Sequence, residues 1–312
     1  MTRIHDDPNW PGARDWLGGS SLRDAVGSLR VFGAPVARGS ITPGRCDRGP
    51  TAIREALRCF TTYDVTSKRD LRRLRVTDGG DLDLANATPE EAFEPIHQAV
   101  FENLEGTDAV VILGGNNSIT RPGCYGLGLE LSRCGLLTLD AHFDLRHLGQ
   151  GLNNGNPVRA LLGDGLPGSH IVQIGIQSFA NSQAYARVAE DAGILVTTTD
   201  FIRRRGIEFA VDQALAYLDR RVDRIYVDLD LDVLDQMHAP AASGARPGGL
   251  APWEVRCATS LCGAHPKVRA FDLVEINPTK DKADVTALTG RMFARICLWS
   301  AQSIRVRARA RT

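Results

Sequence analysis

The sequence lacks the features that mark several large classes of protein. Its 37 Lys and Arg residues balance 37 Asp and Glu residues, so no net charge draws it toward nucleic acid or an anionic membrane. It has no run of about 18 apolar residues that would predict a transmembrane helix. Its first ten residues, MTRIHDDPNW, lack the apolar core of a signal peptide. We therefore expect a cytoplasmic protein that binds neither nucleic acid nor membranes.

Cysteine pairs, repeats and linkers are also missing. The seven cysteines include no CxxC pair, which argues against a disulfide framework and against a zinc knuckle. The Gly-Gly pair at 114–115 lacks the GxGxxG spacing of a dinucleotide-binding loop. No low-complexity stretch divides the 312 residues. We expect one domain over residues 1–312, with residues 1–28 and 303–312 as peripheral termini.

Apolar runs alternate with helix-like stretches along the chain. The runs are residues 29–32, 109–113, 136–139, 171–174, 194–196, 224–227 and 268–274. Because they are mainly apolar rather than alternating, they fit strands covered on both faces of a parallel sheet. Good helix formers and helix-start signals mark residues 51–59, 89–103, 207–220 and 252–262. The alternation predicts an α/β fold with helices on both faces of the sheet.

Polar clusters follow several of the predicted strands. They are GGNNS at 114–118, DAHFD at 140–144, DLDLDVLD at 228–235 and EINP at 275–278. In open α/β sheets, ligands bind outside the carboxyl ends of the strands. These clusters are therefore the candidate functional site.

The DAHFD segment places Asp140, His142 and Asp144 at alternate positions. In an extended segment such residues point to one face, and DLDLD repeats the spacing with carboxylates alone. Crowded carboxylates repel one another or raise one another's pKa, and a divalent cation resolves the conflict. Oxygen ligands with an occasional imidazole suit Mn²⁺ or Mg²⁺. A single such triplet could be a surface turn. Two triplets, each after an apolar strand, favour a site for two metal ions, and two ions can hold a bridging hydroxide.

The four segments GGNNS, DAHFD, DLDLDVLD and DLVEINP resemble the signature blocks of the arginase/agmatinase/formimidoylglutamase family, the ureohydrolases. The resemblance extends from about Arg30 to Ser300. It implies a three-layer α/β/α fold with a central, mostly parallel sheet of about eight strands. It also implies a binuclear Mn²⁺ centre and a homo-oligomer, a trimer or a hexamer.

The resemblance also implies five metal ligands, which are Asp140, His142, Asp144, Asp230 and Asp232. The carboxylates of Asp140 and Asp230 would bridge the two ions. The neighbouring Asp228 and Asp235 are expected to orient ligands or to hold the loop.

The sixth ligand position departs from the family pattern. The family block reads GGDHS, whereas this chain has Asn117 in place of the histidine and Asn116 in place of the aspartate before it. An amide oxygen is a weaker ligand than imidazole for a transition metal. We therefore expect Asn117 to be the sixth ligand, and we expect one of the two Mn²⁺ ions to bind less tightly than the other.

The resemblance places Glu275 where family members pair a glutamate with the cationic amidine or guanidine group, which a carboxylate can bind bidentately. In the loop after DAHFD, arginase- and agmatinase-like members carry a histidine, where this chain has Asn154. This loop, the DAHFDLR run and the stretch ARGSITPGRCDRGPTAIREAL are more similar to formimidoylglutamases. We expect Asn154 and Glu275 to contact the substrate.

The substrate implied by this subfamily is N-formimidoyl-L-glutamate, which offers an amidinium head and two carboxylates. Arg146, Arg159 and Arg246 lie in loops predicted to rim the pocket and are candidate partners for the carboxylates. A metal-bridging hydroxide would attack the amidine carbon, with Asp144 or another ligand carboxylate handling the proton, and release L-glutamate and formamide. His147 is an alternative proton relay.

Two alternatives stay open. A ureohydrolase acting on agmatine or a guanidino acid would release urea instead of formamide. A non-catalytic relative that keeps the fold with a weakened metal site would account for Asn117.

Overall fold

The computed structural model describes residues 7, 9–25, 27–66 and 68–281. The expected peripheral residues 303–312 and the end of the resemblance near Ser300 lie outside this part of the chain.

The described part contains helices and strands in alternation. The strands are β1 Ser28–Ala34, β2 Tyr63–Asp64, β3 Arg69–Asp70, β4 Arg75–Asp81, β5 Ala109–Gly114, β6 Cys134–Leu139, β7 Ile171–Ile176, β8 Leu195–Thr198, β9 Arg224–Asp230 and β10 Val268–Val274. The helices are α1 Ala13–Leu17, α2 Gly49–Ala56, α3 Pro89–Leu104, α4 Thr120–Tyr125, α5 Pro157–Gly163, α6 Gln183–Ala192, α7 Thr199–Arg205, α8 Ile207–Asp219 and α9 Pro252–Ala264. Within these residues, no helix is long and apolar enough to cross a membrane.

Eight of the strands form one sheet in the order β4-β1-β5-β10-β9-β6-β7-β8. The neighbouring strands pair in parallel throughout. Separate apolar clusters cover its two faces. One includes Val211 and Leu215 of α8, and the other includes Ile96 and Val100 of α3. The predicted three-layer α/β fold with about eight strands is confirmed.

Local signals explain where the helices begin. Helix α3 starts with a capping box in which the Thr88 hydroxyl accepts the Glu91 N–H while the Glu91 carboxylate accepts the Thr88 N–H. Pro89 occupies the first turn, where its missing N–H costs nothing. Helix α9 also begins with a proline, Pro252. The apolar face of each helix then packs on the sheet.

The strand order decides where the polar clusters meet. Strands β5, β10, β9 and β6 lie side by side in the middle of the sheet. Because all run in parallel, the four segments that follow them emerge at the same edge. The four clusters found in the sequence therefore converge on one region.

One sheet strand, β4 (Arg75–Asp81), was not predicted. It lies at the edge of the sheet, and most of its residues are exposed or half-buried. Its sequence RVTDGGD has no continuous apolar run, so a rule that selects strands buried on both faces cannot find it.

Candidate metal centre

The centre is built from two strand ends. Asp140 and His142 follow β6, and Asp232 follows β9. The His142 Nδ1 atom lies 2.9 Å from Asp232 Oδ2 and 3.5 Å from Asp140 Oδ1. One ligand atom from each of these residues lies within 4.8 Å of the others. An imidazole nitrogen and two carboxylates at this spacing can hold a divalent cation.

The backbone reaches this arrangement by turning rather than by staying extended. Strand β6 ends at Leu139, and Asp144 adopts a left-handed conformation with φ of 52°. Strand β9 ends at Asp230 and a 3₁₀ turn carries Asp232. The expectation of two fully extended triplets is therefore wrong. Asp140, His142, Asp144, Asp230 and Asp232 nevertheless reach the site, whereas Asp228 stays within β9. Asp230 stabilises the 3₁₀ turn, since its carboxylate accepts the Asp232 N–H at 2.8 Å.

A glycine allows the loop after β9 to cover the cluster. A Cβ atom on Gly244 would stand 1.9 Å from Asp232 Oδ2 and 3.0 Å from His142 Cε1. The same loop is held by Asp235, whose carboxylate accepts the Met237 N–H at 2.9 Å and the Gly248 N–H at 2.7 Å. Asp235 thus holds the loop, one of the two roles expected for it.

Burial and mutual repulsion dominate the electrostatics of the carboxylates. Burial, followed by the charge of Asp232, raises the pKa of Asp140 to about 6. Burial and the neighbouring carboxylates also hold the pKa of Asp144 and of Asp230 well above the usual range. Carboxylates that resist ionisation need either a proton or a cation.

His142 is the positively charged partner of the carboxylates in this cluster, and its shorter contact is with Asp232. Burial alone would lower the pKa of His142, but the Asp232 charge and hydrogen bonds to Asp140 and Asp232 outweigh it and raise the pKa to about 12. Burial opposes ionisation of Asp232 as well, and the positive His142 outweighs it and lowers that pKa. A cation bound here would take the place of the imidazolium proton.

Glu275 faces the cluster from the end of β10. Its backbone has a φ of 66°, a conformation that non-glycine residues rarely adopt and that often occurs at functional sites. Its Oε1 atom accepts the Asn117 N–H at 2.8 Å and the Asn154 side-chain N–H at 2.9 Å. Burial raises the pKa of Glu275 to about 7, although both hydrogen bonds act in the opposite direction.

Asn117 contacts the cluster through its amide nitrogen. This nitrogen donates to Asp144 Oδ2, and the amide oxygen accepts from the Thr120 hydroxyl at 2.6 Å. Asn116 instead contacts the loop after β1, donating to the Arg38 carbonyl and to Ser40 Oγ, both at 2.9 Å.

A polar layer lies beneath the cluster, and the sequence analysis missed most of it. Asp272 of β10 accepts from the Tyr226 hydroxyl at 2.7 Å and lies 3.1 Å from Thr120 Oγ1. Asp228 is its register neighbour on β9, and burial raises the pKa of Asp228 well above its usual range. A charged residue inside the apolar run 268–274 was the signal that could have identified Asp272.

A cavity of about 280 Å³ opens over the cluster. Predicted site residues that line it are His142, Asp144, Arg146, Asn154, Asp230, Asp232, Arg246 and Glu275. Lining residues that the sequence analysis did not single out include Ile41, Thr42, Asn181, Ser182, Tyr185 and Ser243. Arg159 and His147 are not among the described residues that line it. Arg159 contacts the site through its backbone, donating its N–H to the Asp144 carbonyl at 3.1 Å.

Comparison with known proteins agrees with this geometry. Residues 28–299 match the sequence profile of the arginase family. The chain belongs to this family.

Relatives in the arginase family include formimidoylglutamases. The enzyme of that name from Halalkalibacterium halodurans is 37% identical over 84% of this chain and 83% of the relative. The crystal structure of formimidoylglutamase from Bacillus subtilis is similar with a TM-score of 0.88 and 27% identity, covering 97% of both chains. A Trypanosoma cruzi formiminoglutamase solved with Mn²⁺ shares the fold, with a TM-score of 0.84 and 23% identity over 94% of this chain and 99% of the other.

Proposed function

We propose that the protein is a metal-dependent hydrolase that converts N-formimidoyl-L-glutamate to L-glutamate and formamide. The observation that carries the proposal is one cavity that joins the His142–Asp232 cluster to Glu275 and to two arginines, Arg146 and Arg246. The family relatives named formimidoylglutamase support the same reaction.

The donor set fits a pair of Mn²⁺ ions, as in the Trypanosoma cruzi formiminoglutamase solved with this metal. We assign as ligands Asp140, His142, Asp144, Asp230 and Asp232, with Asn117 as the sixth and weakest candidate. Buried carboxylates that repel one another are stabilised by divalent cations, and oxygen with one imidazole suits Mn²⁺. When bound, the two ions supply a water-derived nucleophile at neutral pH.

The side chains around the cluster would bind and orient the substrate. Glu275 is the acceptor for the amidinium head, because it is a buried carboxylate that lines the cavity. Arg146 and Arg246 are exposed on the same cavity and are positioned for the two substrate carboxylates. Arg159 contributes its backbone N–H to Asp144 rather than a direct contact.

The reaction requires a proton to move to the leaving amine. Water adds to the amidine carbon, the bond from that carbon to the glutamate nitrogen breaks, and the nitrogen gains a proton. Asp144 is the residue we assign to relay this proton, since its carboxylate lines the cavity beside the other assigned ligands His142 and Asp232.

The two arginines also bear on the choice of substrate. An amine-bearing guanidine such as agmatine would need a carboxylate at the far end of the cavity, whereas an acidic substrate needs cations. Arg146 and Arg246 therefore favour the glutamate derivative over agmatine.

Product analysis with Mn²⁺-loaded protein tests the proposal. We expect formamide from N-formimidoyl-L-glutamate and no comparable release of urea from agmatine or guanidino acids. Faster urea release would identify a ureohydrolase instead. Absence of turnover together with less than one bound Mn²⁺ per chain would identify a non-catalytic relative.

We also propose a cytoplasmic location, from the composition, which cell fractionation can test. From the family resemblance we propose a homotrimer or homohexamer, which light scattering of the purified protein can test. A single domain over residues 1–312 predicts one cooperative unfolding transition.

A further inference from the structure

Asn154 is held at both ends, so the orientation of its amide is defined. The side-chain N–H donates to Glu275 Oε1 at 2.9 Å, while the side-chain oxygen accepts the Ile41 N–H at 2.9 Å. The backbone N–H of Asn154 donates to the Gly39 carbonyl at 3.1 Å. A rotated amide would direct its NH₂ group at the Ile41 N–H and its oxygen at the Glu275 carboxylate, and both contacts would be repulsive.

The contact from Asn154 completes the hydrogen bonding of one carboxylate oxygen. A carboxylate oxygen has about two acceptor positions. Glu275 Oε1 fills both, with the Asn117 N–H at 2.8 Å and the Asn154 N–H. Within the described residues no hydrogen bond reaches Glu275 Oε2, and Glu275 lines the cavity. Oε2 is therefore the oxygen available to a ligand.

We propose that Asn154 is a specificity-determining residue. By donating to Oε1 of Glu275, it leaves only Oε2 available to bind the cationic head of the substrate. The inference rests on the proposed function for the role of Glu275. A bidentate pair needs a free acceptor position on each carboxylate oxygen. The hydrogen bond from Asn154 to Oε1 therefore prevents a bidentate contact with the substrate. This revises the bidentate contact that the sequence led us to expect at Glu275.

A single available oxygen favours an amidine over a guanidine. A guanidinium group has five N–H donors on three nitrogens when its chain nitrogen is substituted, whereas a formimidoyl head has three on two nitrogens. Buried donors without acceptors weaken binding. A site that offers one oxygen leaves more donors of the guanidinium unsatisfied, so it discriminates against ureohydrolase substrates.

The loop that contacts Asn154 supports the same role. Ile41 and Thr42 line the cavity beside Glu275, and a Cβ atom on Gly155 would meet Ile41 Cδ1 at 2.5 Å and Arg146 Cδ at 2.8 Å. Asn154 thus links Glu275 to the loop carrying Ile41. The position of the carboxylate relative to the cavity wall is therefore fixed.

A pair of substrates that differ only in the head tests the proposal. We would measure kcat/KM for N-formimidoyl-L-glutamate and for N-amidino-L-glutamate in the Mn²⁺-loaded wild type and in Asn154→Ala. We expect the ratio of guanidine to amidine kcat/KM to rise roughly tenfold in Asn154→Ala, since Oε1 regains one acceptor position for a charged hydrogen bond. Asn154→Ser provides a second variant if the alanine variant folds poorly.

Asn153→Ala is the matched control. Its side chain accepts the Gly155 N–H at 3.0 Å and donates to the Gly151 carbonyl at 3.3 Å, within the same loop. It makes no hydrogen bond to Glu275 among the described residues. We expect an unchanged substrate ratio in Asn153→Ala. An equal change in both variants, or no change in Asn154→Ala, would overturn the proposal.

A structural measurement keeps the test independent of turnover. In crystals of the Mn²⁺-loaded wild type soaked with formamidinium chloride, we expect the cation at Oε2 of Glu275, with the Asn154 contact to Oε1 intact. A cation that spans both oxygens, or no cation at Glu275, would overturn the proposal. If neither substrate is hydrolysed, the proposed function fails, while the soaked crystals still decide the role of Asn154.

Discussion

The His142 imidazole and the Asp232 carboxylate, which follow different strands, lie 2.9 Å apart. Their contact is strong because Asp232 is buried, His142 is half-buried and the two are oppositely charged. The contact raises the pKa of His142 and lowers that of Asp232. A metal ion at the same atoms competes with the imidazolium proton. Metal binding and protonation are therefore alternatives at this centre.

The raised pKa values at the site predict how the free energy of unfolding depends on pH in the metal-free protein. Burial raises the pKa of Asp140 from 3.8 to about 6 and that of Glu275 from 4.5 to about 7. The folded state then binds more protons than the unfolded state, so the free energy of unfolding falls as the pH rises through this window. The raised pKa of His142 acts in the same direction above its ordinary value of 6.5.

Urea unfolding of chelator-treated protein at a series of pH values from about 4.5 to 8 measures this effect. In excess Mn²⁺ we expect the slope to reverse, because the ion binds the deprotonated ligands. A metal-free protein whose stability rises with pH over the same window would contradict this description of the cluster.

Gly244→Ala is expected to weaken metal binding. The added Cβ would stand 1.9 Å from Asp232 Oδ2, so either the carboxylate or the loop must move. We expect a loss of Mn²⁺ affinity of roughly 10- to 100-fold, as for other changes that disturb the orientation of a ligand. Gly163→Ala is the control, because a Cβ there meets nothing within 4 Å. Equal Mn²⁺ affinity in the two variants, measured by calorimetry, would contradict this prediction.

Asn117→His is expected to tighten the binding of one ion. Imidazole is a better ligand for Mn²⁺ than an amide oxygen, and Asn117 already lies against Asp144. Mn²⁺ titration followed by electron paramagnetic resonance should show one dissociation constant lowered by roughly tenfold, with the other unchanged. Unchanged metal dependence would place residue 117 outside the coordination sphere.

The two arginines on the cavity are expected to act on substrate binding. Arg146→Ala and Arg246→Ala should each raise KM for N-formimidoyl-L-glutamate roughly tenfold or more, since each loses a charged contact, with a smaller effect on kcat. Arg220→Ala, at the exposed end of α8, controls for the loss of surface charge. A KM equal to that of the wild type in both cavity variants would remove these residues from the binding site.

The sequence predicted the interior of the fold better than its edge. Continuous apolar runs identified β5, β6, β9 and β10, because these strands are buried on both faces. The edge strand β4 was not predicted, because its exposed positions and two glycines leave no continuous apolar run. The other edge strand, β8, was predicted because residues 194–196 are apolar. An edge strand without such a run depends on pairing that composition does not encode.

The site shows a similar division. Strand-end clusters identified Asp140, His142 and Asp232, because parallel strands bring their carboxyl ends to one edge. The turns that aim these side chains were not predictable, since Asp144 and Glu275 both adopt positive φ, which tertiary contacts impose. Residues from distant segments, such as Ile41 and Tyr185, join the cavity only through the folded topology.

The rate of formamide release from N-formimidoyl-L-glutamate, measured as Mn²⁺ is added to metal-free protein, tests whether the protein is a metal-dependent amidine hydrolase. We expect no activity without metal, a rise in activity as up to two ions bind per chain, and loss of activity on chelation. Fully metal-loaded protein that releases no formamide, or that releases urea from guanidino compounds faster, would contradict it.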